Sequence, residues 1–263
     1  MCAMGHLINP LYALSGLAVG VLVGLTGVGG GSLMTPLLVL VFGIHPSTAV
    51  GTDLLYAAAT KTVGTAVHGS RGTVDWGIVG RLAVGSVPAT ALTLLWLAKF
   101  APHLDTKHGV ITSALGVALI FTAAAILFRK FLLAAFAERA KSWSRRTVTL
   151  FTILLGAVMG VLVSVSSVGA GAIGVTVLLL LYPALPVNKL VGSDIAHAVP
   201  LTLIAGLGHW MMGDVNLGLL GSLLVGSVPG IVVGSLLASR APDGVLRPIL
   251  ASTLAIVGSR LIF

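Results

Sequence analysis

Apolar residues run along this chain in blocks of membrane length. They cover 11–43, about 47–68, 74–98 and 108–128, and then 148–182, about 187–210, 215–238 and 244–262. Continuous runs of this kind predict helices that cross a bilayer, and the missing period-two alternation argues against an outer-membrane barrel. The first block of each set is interrupted, at Gly27-Val28-Gly29-Gly30-Gly31 and at Ser167-Val168-Gly169-Ala170-Gly171. A glycine-rich break frees backbone N–H and C=O groups where no water satisfies them. It is tolerated only where the backbone is buried in protein or lines a polar cavity. The pieces beside the first break, 11–26 and 32–43, span about 24 and 18 Å as helices, each short of the ~30 Å hydrocarbon core. They form either one bent crossing or a re-entrant hairpin.

The two sets of blocks are copies of one unit. A shift of 140 residues aligns Gly16 with Gly156, Gly20-Val21-Leu22-Val23 with Gly160-Val161-Leu162-Val163, and Val28-Gly29 with Val168-Gly169. A shift of 141 aligns Gly51, Asp53 and His68 with Gly192, Asp194 and His209, and Val84-Gly85-Ser86-Val87-Pro88 with Val225-Gly226-Ser227-Val228-Pro229. Chance apolar similarity does not place an acid, a histidine and a GSVP string in register. The expected organisation is a first transmembrane repeat over 1–128, a basic cytoplasmic linker over 129–146 and a second repeat over 147–263. Matched breaks in the two halves of a chain are the best sequence pointer to a transporter's binding site.

Composition and charge sharpen this picture. Only 8% of the 263 residues are charged and 57% are hydrophobic, against about 25% charged in soluble domains. The chain is therefore an all-α integral membrane protein. Its 34 glycines suit closely packed transmembrane helices. The formal charge of +8 does not point to nucleic acid, because six of the 15 basic residues fall between Arg129 and Arg146, as expected of a cytoplasmic loop. With that linker inside, three crossings plus a hairpin per half place eleven basic residues inside and three outside. Four crossings per half give nine against five. Charge thus favours two inverted repeats, each an interrupted helical segment plus three transmembrane helices. The single cysteine, Cys2, excludes an intramolecular disulfide and a Cys-based metal site. No cluster resembles a metal site, and no cofactor is called for.

The breaks come first among the candidate functional residues. A half-helix starting after Gly29, Gly30 and Gly31 points its N–H groups and the positive end of its dipole into the protein. Thr26, Ser32 and Thr35 in the first copy, and Ser164, Ser166 and Ser167 beside Gly169, Ala170 and Gly171 in the second, add hydroxyl donors. The combination suits a small oxyanion; the alternative is tight helix packing of the GxxxG kind. Asp53 and Asp194 lie inside spans, where a carboxylate costs roughly 2.5–3.5 kcal/mol. They serve proton coupling or gating, with Asp194 able to meet His197 at i,i+3, or they charge-complement helix N-termini, where Thr52 and Ser193 also fit. Lys61, with Thr202 at its counterpart, binds an anion, neutralises Asp194 across the repeat interface, or snorkels to the surface. His68 and His209 read as helix-end residues, and Pro88 and Pro229 as packing kinks.

These motifs resemble the TauE/SafE sulfite exporter family, also called the toluenesulfonate uptake permease family. The resemblance rests on Gly27-Val28-Gly29-Gly30-Gly31-Ser32 followed by Pro36-Leu37-Leu38, then His45-Pro46, Ala49-Val50-Gly51-Thr52, His68-Gly69 and Gly72-Thr73-Val74-Asp75. A weaker second copy departs from it, with Ala170 for the middle glycine and Thr176 placed opposite Pro36. The resemblance implies a secondary transporter of a bacterial plasma membrane for small sulfur-containing anions such as sulfite, thiosulfate, sulfoacetate or organosulfonates. The expected mechanism is alternating access, with the anion near the midplane between the two broken helices and protons coupled through the acids. The rivals are an anion channel and, less favoured, an intramembrane enzyme using Ser166 or Ser167 with His197 as base. The expected partners are the anion, coupled protons and membrane lipid, with no nucleic acid.

Overall fold

A computed structural model describes residues 8–26, 31–100, 110–129, 131, 142–169, 171–237, 252, 255–256 and 258–260, with the side chains of Leu25, Thr26, Gly31, Ser32, Val110, Ile111, Thr112, Ala114 and Ala172 left aside. Among the described residues there is no strand. The helices are α1 (Pro10–Thr26), α2 (Gly31–Leu40), α3 (Pro46–Ser70), α4 (Trp76–Phe100), α5 (Val110–Leu127), α6 (Arg145–Ser166), α7 (Ala172–Leu181), α8 (Val187–Met211) and α9 (Leu217–Leu237). Four of them, α4, α6, α8 and α9, are long and apolar enough to cross a membrane. Their outward faces carry Leu92, Leu95, Leu150, Leu154 and Val225, the surface that lipid covers.

Helix α3 equals α4 and α8 in length, but Asp53, Lys61 and several threonines lower its hydropathy. Those polar residues are tolerated because α3 is central: its partner α8 has 67% of its apolar window buried, against 33% for α4. The two run antiparallel. A Cβ on Gly51 would lie 3.0 Å from His209 Cβ, and one on Gly192 would lie 3.2 Å from His68 Nδ1. Further along, Gly206 abuts Leu55 and Gly64 abuts Ile195. This register puts Thr60 and Lys61 opposite Pro200, at the middle of the pair.

Around this pair the contacts recur under the 140- and 141-residue shifts of the two copies. Helix α1 lies parallel to α9, with Gly16 on Leu223, Gly20 on Ser227 and Gly24 on Gly234. Helix α6 lies parallel to α4, with Gly156 on Leu82 and Gly160 on Ser86. Small residues at i,i+4 spacing let these backbones touch. Helix α9 is also parallel to α3, since Asn216 N donates to Thr52 Oγ1 at 3.0 Å and Thr60 pairs with Ser227 at 2.9 Å. Likewise α4 is parallel to α8, through Asp75 N to Ser193 Oγ at 2.8 Å and Ser86 to His197 at 2.9 Å.

The short helices follow from these directions. Thr35 meets Asp53, and five residues join Leu40 to Pro46, so α2 runs antiparallel to α3. Helix α1 runs with α9 and hence with α3, so the chain reverses between α1 and α2; residues 27–30 themselves lie outside the described residues. In the second copy Gly174 packs on Asp194, which makes α7 antiparallel to α8 and to α6. The helix bounds also correct one alignment. Helices α2 and α7 match under a shift of 141, so Thr176 stands opposite Thr35, and Val177 opposite Pro36. Of the last expected span, 244–262, only scattered positions belong to the described residues, and 130 and 132–141 of the linker lie outside them.

Candidate functional site

Asp53 is the eighth residue of α3 and Asp194 the eighth of α8. Neither is near enough to its helix N-terminus to cap it. Thr52 and Ser193 do the bracing instead, each accepting a backbone N–H from the loop of the opposite half. In those loops Asp75 Oδ1 caps α4 through Gly77 N and Ile78 N, and Asn216 Oδ1 caps α9 through Leu219 N at 3.0 Å. The antiparallel register sets the two acids on opposite sides of the middle, about 20 Å apart along the helices at 1.5 Å per residue.

Their surroundings differ. Asp53 is fully buried, and its Oδ2 accepts from Thr35 Oγ1 at 2.5 Å and from Ser167 Oγ at 3.0 Å. Ser167 closes α6 in the left-handed region at φ 56°, a conformation favoured by glycine, and its N–H donates to Val163 O. Asp53 Oδ1 has no hydrogen-bond partner, and neither oxygen of the buried Asp194 has one. Gly174 of α7 lies against the Asp194 carboxylate so closely that no side chain fits between them.

Lys61 is 2% exposed, so it does not snorkel to the surface. Its ammonium lies within electrostatic reach of Asp194 and, more weakly, of Asp53. His197 turns to α4, sharing a 2.9 Å hydrogen bond between Nε2 and Ser86 Oγ. It makes no hydrogen bond with Asp194, whose i,i+3 spacing had suggested one, and its Nδ1 is unpartnered. Tyr56 holds the equivalent place in α3, with its hydroxyl beside Thr60 and Ser227. Ser227 is the register counterpart of Ser86.

The remaining candidates divide. Gly29, Gly30 and Ala170, and the side chains of Thr26, Gly31 and Ser32, lie outside the described residues. Ser166 Oγ donates to Leu162 O and accepts from Val168 N, so its hydroxyl serves the end of α6. With Ser166 on its own helix, Ser167 on Asp53 and His197 on Ser86, no nucleophile–base pair forms among them. Gly169 takes φ 107° and Gly171 precedes α7. His68 and His209 close α3 and α8 as expected and also hold the adjoining loops. His68 Nδ1 meets Thr73 at 2.9 Å; His209 Nδ1 meets Asp214 at 3.3 Å and its Nε2 meets Ser164 O at 2.8 Å. Among the described residues no group of three His, Cys, Asp or Glu is placed to hold a metal.

Ser86, Ser227 and the role of Thr35 escaped the sequence reading. A usable signal was present, because the 18-residue spacing from Thr35 to Asp53 repeats from Thr176 to Asp194.

Comparison with known proteins agrees with this architecture. The family described as Sulfite exporter TauE/SafE matches residues 12–261. The chain is 39% identical over 214 residues to the Probable membrane transporter protein YjnA of Bacillus subtilis (strain 168), covering 80% of this chain and 83% of that one. It is 31% identical over 211 residues to the Probable membrane transporter protein YdhB of the same organism, covering 78% and 80%. No solved structure matches the chain. A family match over nearly the whole length, on a helical protein with spans of membrane length, means that this chain belongs to the Sulfite exporter TauE/SafE family of multi-pass membrane transporters.

Proposed function

We propose that the protein carries small sulfur-containing anions, such as sulfite, thiosulfate, sulfoacetate or organosulfonates, by alternating access. The anion binds near the middle of the α3–α8 pair, between the two breaks. One observation carries this reading: α2 and α7 both run away from that middle, so both half-helix N-termini face the level of Lys61. Each N-terminus brings about half a positive charge of dipole. Lys61 adds a full charge. Helices α1 and α2, and α6 and α7, form re-entrant hairpins in this reading. The antiparallel α3 and α8 support halves inverted across the membrane.

Asp53 and Asp194 flank Lys61 along the α3–α8 pair, and Lys61 is the one lysine or arginine buried among the described residues. Adding an anion to two carboxylates and one ammonium in a low-dielectric site is costly unless a proton enters too. Asp194, with no hydrogen-bond donor on either oxygen, is the acceptor best placed to take it. Lys61 then passes from Asp194 to the anion, which couples the two loads.

Proteoliposomes test this. The expected result is saturable, proton-driven uptake of labelled sulfite or thiosulfate with counterflow; unitary currents would instead mean a channel. Lys61→Gln should raise the anion's KM by about tenfold or more, the loss of a charge-assisted hydrogen bond of ~1.5–3 kcal/mol, while Lys61→Arg retains flux. Asp194→Asn should flatten the rise of uptake with falling external pH. Unchanged KM in Lys61→Gln would remove the lysine from the site.

A further inference from the structure

His197 and Ser86 are both fully buried, and 2.9 Å separates His197 Nε2 from Ser86 Oγ. Ser86 has no other side-chain partner among the described residues, and His197 Nδ1 has no hydrogen-bond partner. If Nε2 carried the ring hydrogen, the serine hydrogen and the Nδ1 lone pair would both be buried and unused. If Ser86 donates to Nε2, the hydrogen sits on Nδ1 and a single N–H is left over. Each unmade buried bond is costly, so the second arrangement is the favoured one. Helix α8 therefore presents one unsatisfied N–H donor at His197.

That donor lies at the level of the proposed anion. Gly64 packs on Ile195, so the antiparallel register sets His197 opposite Thr62 and Val63 of α3, within one turn of Lys61. The lysine ammonium is within electrostatic reach of the imidazole. The same place in the first half repeats the pattern. Tyr56, the register counterpart of His197, is fully buried, and its Oη is unbonded while Thr60 and Ser227 pair with each other at 2.9 Å. An unpartnered polar atom that recurs at one position in both copies marks a polar space whose occupant supplies the missing bonds.

Resting on the anion reading above, we infer that His197 is a second contact to the carried oxyanion beside Lys61, donating from Nδ1 to one of its oxygens. Ser86 is the positioning residue: it holds the ring through Nε2 and keeps the hydrogen on Nδ1. The two donors come from different helices and meet separate oxygens of one sulfite-like ion. Lys61 supplies the charge, and the fixed N–H supplies direction.

Substitution separates the two ring nitrogens. In His197→Gln the amide reaches Ser86 and leaves the Nδ1 position empty; in His197→Asn it stands where Nδ1 stood and falls short of Ser86. In proteoliposomes of the full-length protein, His197→Gln should raise the KM for labelled sulfite by about tenfold, the loss of one hydrogen bond to a charged ligand, with kcat changed less. His197→Asn, which keeps an N–H at that position, should recover most of the loss. A purely structural tie between α4 and α8 predicts the reverse order, with Asn damaging and Gln sparing, and that result would overturn the inference. Nitrogen NMR of protein carrying isotope-labelled histidine reads the hydrogen directly, with the His197 signals identified by their loss in His197→Gln. The hydrogen is expected on Nδ1, and added sulfite should shift that signal; a hydrogen on Nε2, or no shift, refutes the assignment. Ser86→Ala should lose the preference for Nδ1 and raise KM, and Ser86→Thr should restore both. Failure of the anion reading is separately visible. A parent protein that moves no sulfite removes the anion, and this contact with it. An active parent whose KM responds to Lys61→Gln but not to His197→Gln removes His197 alone.

Discussion

Asp214 shows how a single side chain in this protein reports on pH without entering the buried pair. It lies in the loop between α8 and α9, outside the spans. Burial alone raises its carboxyl, but hydrogen bonds from His209 and Ser47, with the charges of His209 and His45, outweigh that and hold it below the ordinary carboxylate value. A carboxyl depressed by folding stabilises the folded state above its unfolded value, and that stability is lost as pH falls through the folded one. Asp214→Asn should therefore melt earlier than the parent at neutral pH, and the gap should close as pH falls below about 3.9. Thermal melts in detergent at both ends of that range check the sign; a constant gap would mean that charge is not the cause. The loop's chemistry was only partly legible. His209 reads from the sequence as a helix-end histidine, but its Nε2 holds Ser164 O, 45 residues away. A carbonyl and a carboxylate face its two ring nitrogens, and such pairing appears only once α6 and α8 are packed. The i,i+3 argument for Asp194 and His197 failed for a related reason. Local spacing permits a pair, but Ser86 from another helix offers His197 a partner at 2.9 Å.

Helix α1 is held mainly by backbone approach. Gly16, Gly20 and Gly24 face α9, and Gly226, Gly230 and Gly234 face back, so each glycine stands where a Cβ would meet the other helix's main chain. Gly20→Ala would place its Cβ 2.6 Å from Ser227 O. Neither backbone can yield without breaking the neighbouring contacts, so a loss of about 1–3 kcal/mol is expected. Gly221→Ala on the same α9 meets nothing within 4 Å and should be neutral or stabilising by up to ~1 kcal/mol through helix propensity. Denaturation of the two variants side by side separates packing from composition; equal stability would refute the packing account. The sequence made this interface half visible. The i,i+4 glycines can be read as small-residue faces, but the consecutive glycines of the breaks drew the chemical argument, and nothing in one sequence says that α1 packs against the other half's α9. Element ends moved little. The first half-helix was expected over 32–43 and runs Gly31–Leu40, because the chain turns at Val41 and Phe42 and takes φ 63° at Gly43.

At the scale of the whole molecule, helix direction and loop charge bear on the same question. The loop after α3 carries Arg71, followed by Arg81 in α4, whereas the corresponding loop after α8 carries Asp214 and no lysine or arginine. The positive-inside rule assigns the first loop to the cytoplasm. Because α3 and α8 run antiparallel, their C-terminal ends face opposite ways along the pair. If both cross the bilayer, the two loops open on opposite sides. Ser70 and Met211 are register counterparts at these ends, both exposed, Met211 at 88%. Single cysteines there, Ser70→Cys and Met211→Cys in a Cys2→Ser background, should react differently with a membrane-impermeant maleimide. In intact cells Met211→Cys should label and Ser70→Cys should stay silent until the membrane is opened; inside-out vesicles should reverse the pattern. Labelling of both from one side would mean that the halves are not inverted. It would also undo the central site, because two half-helix N-termini converge on Lys61 from opposite directions only when the hairpins enter from opposite faces of the membrane.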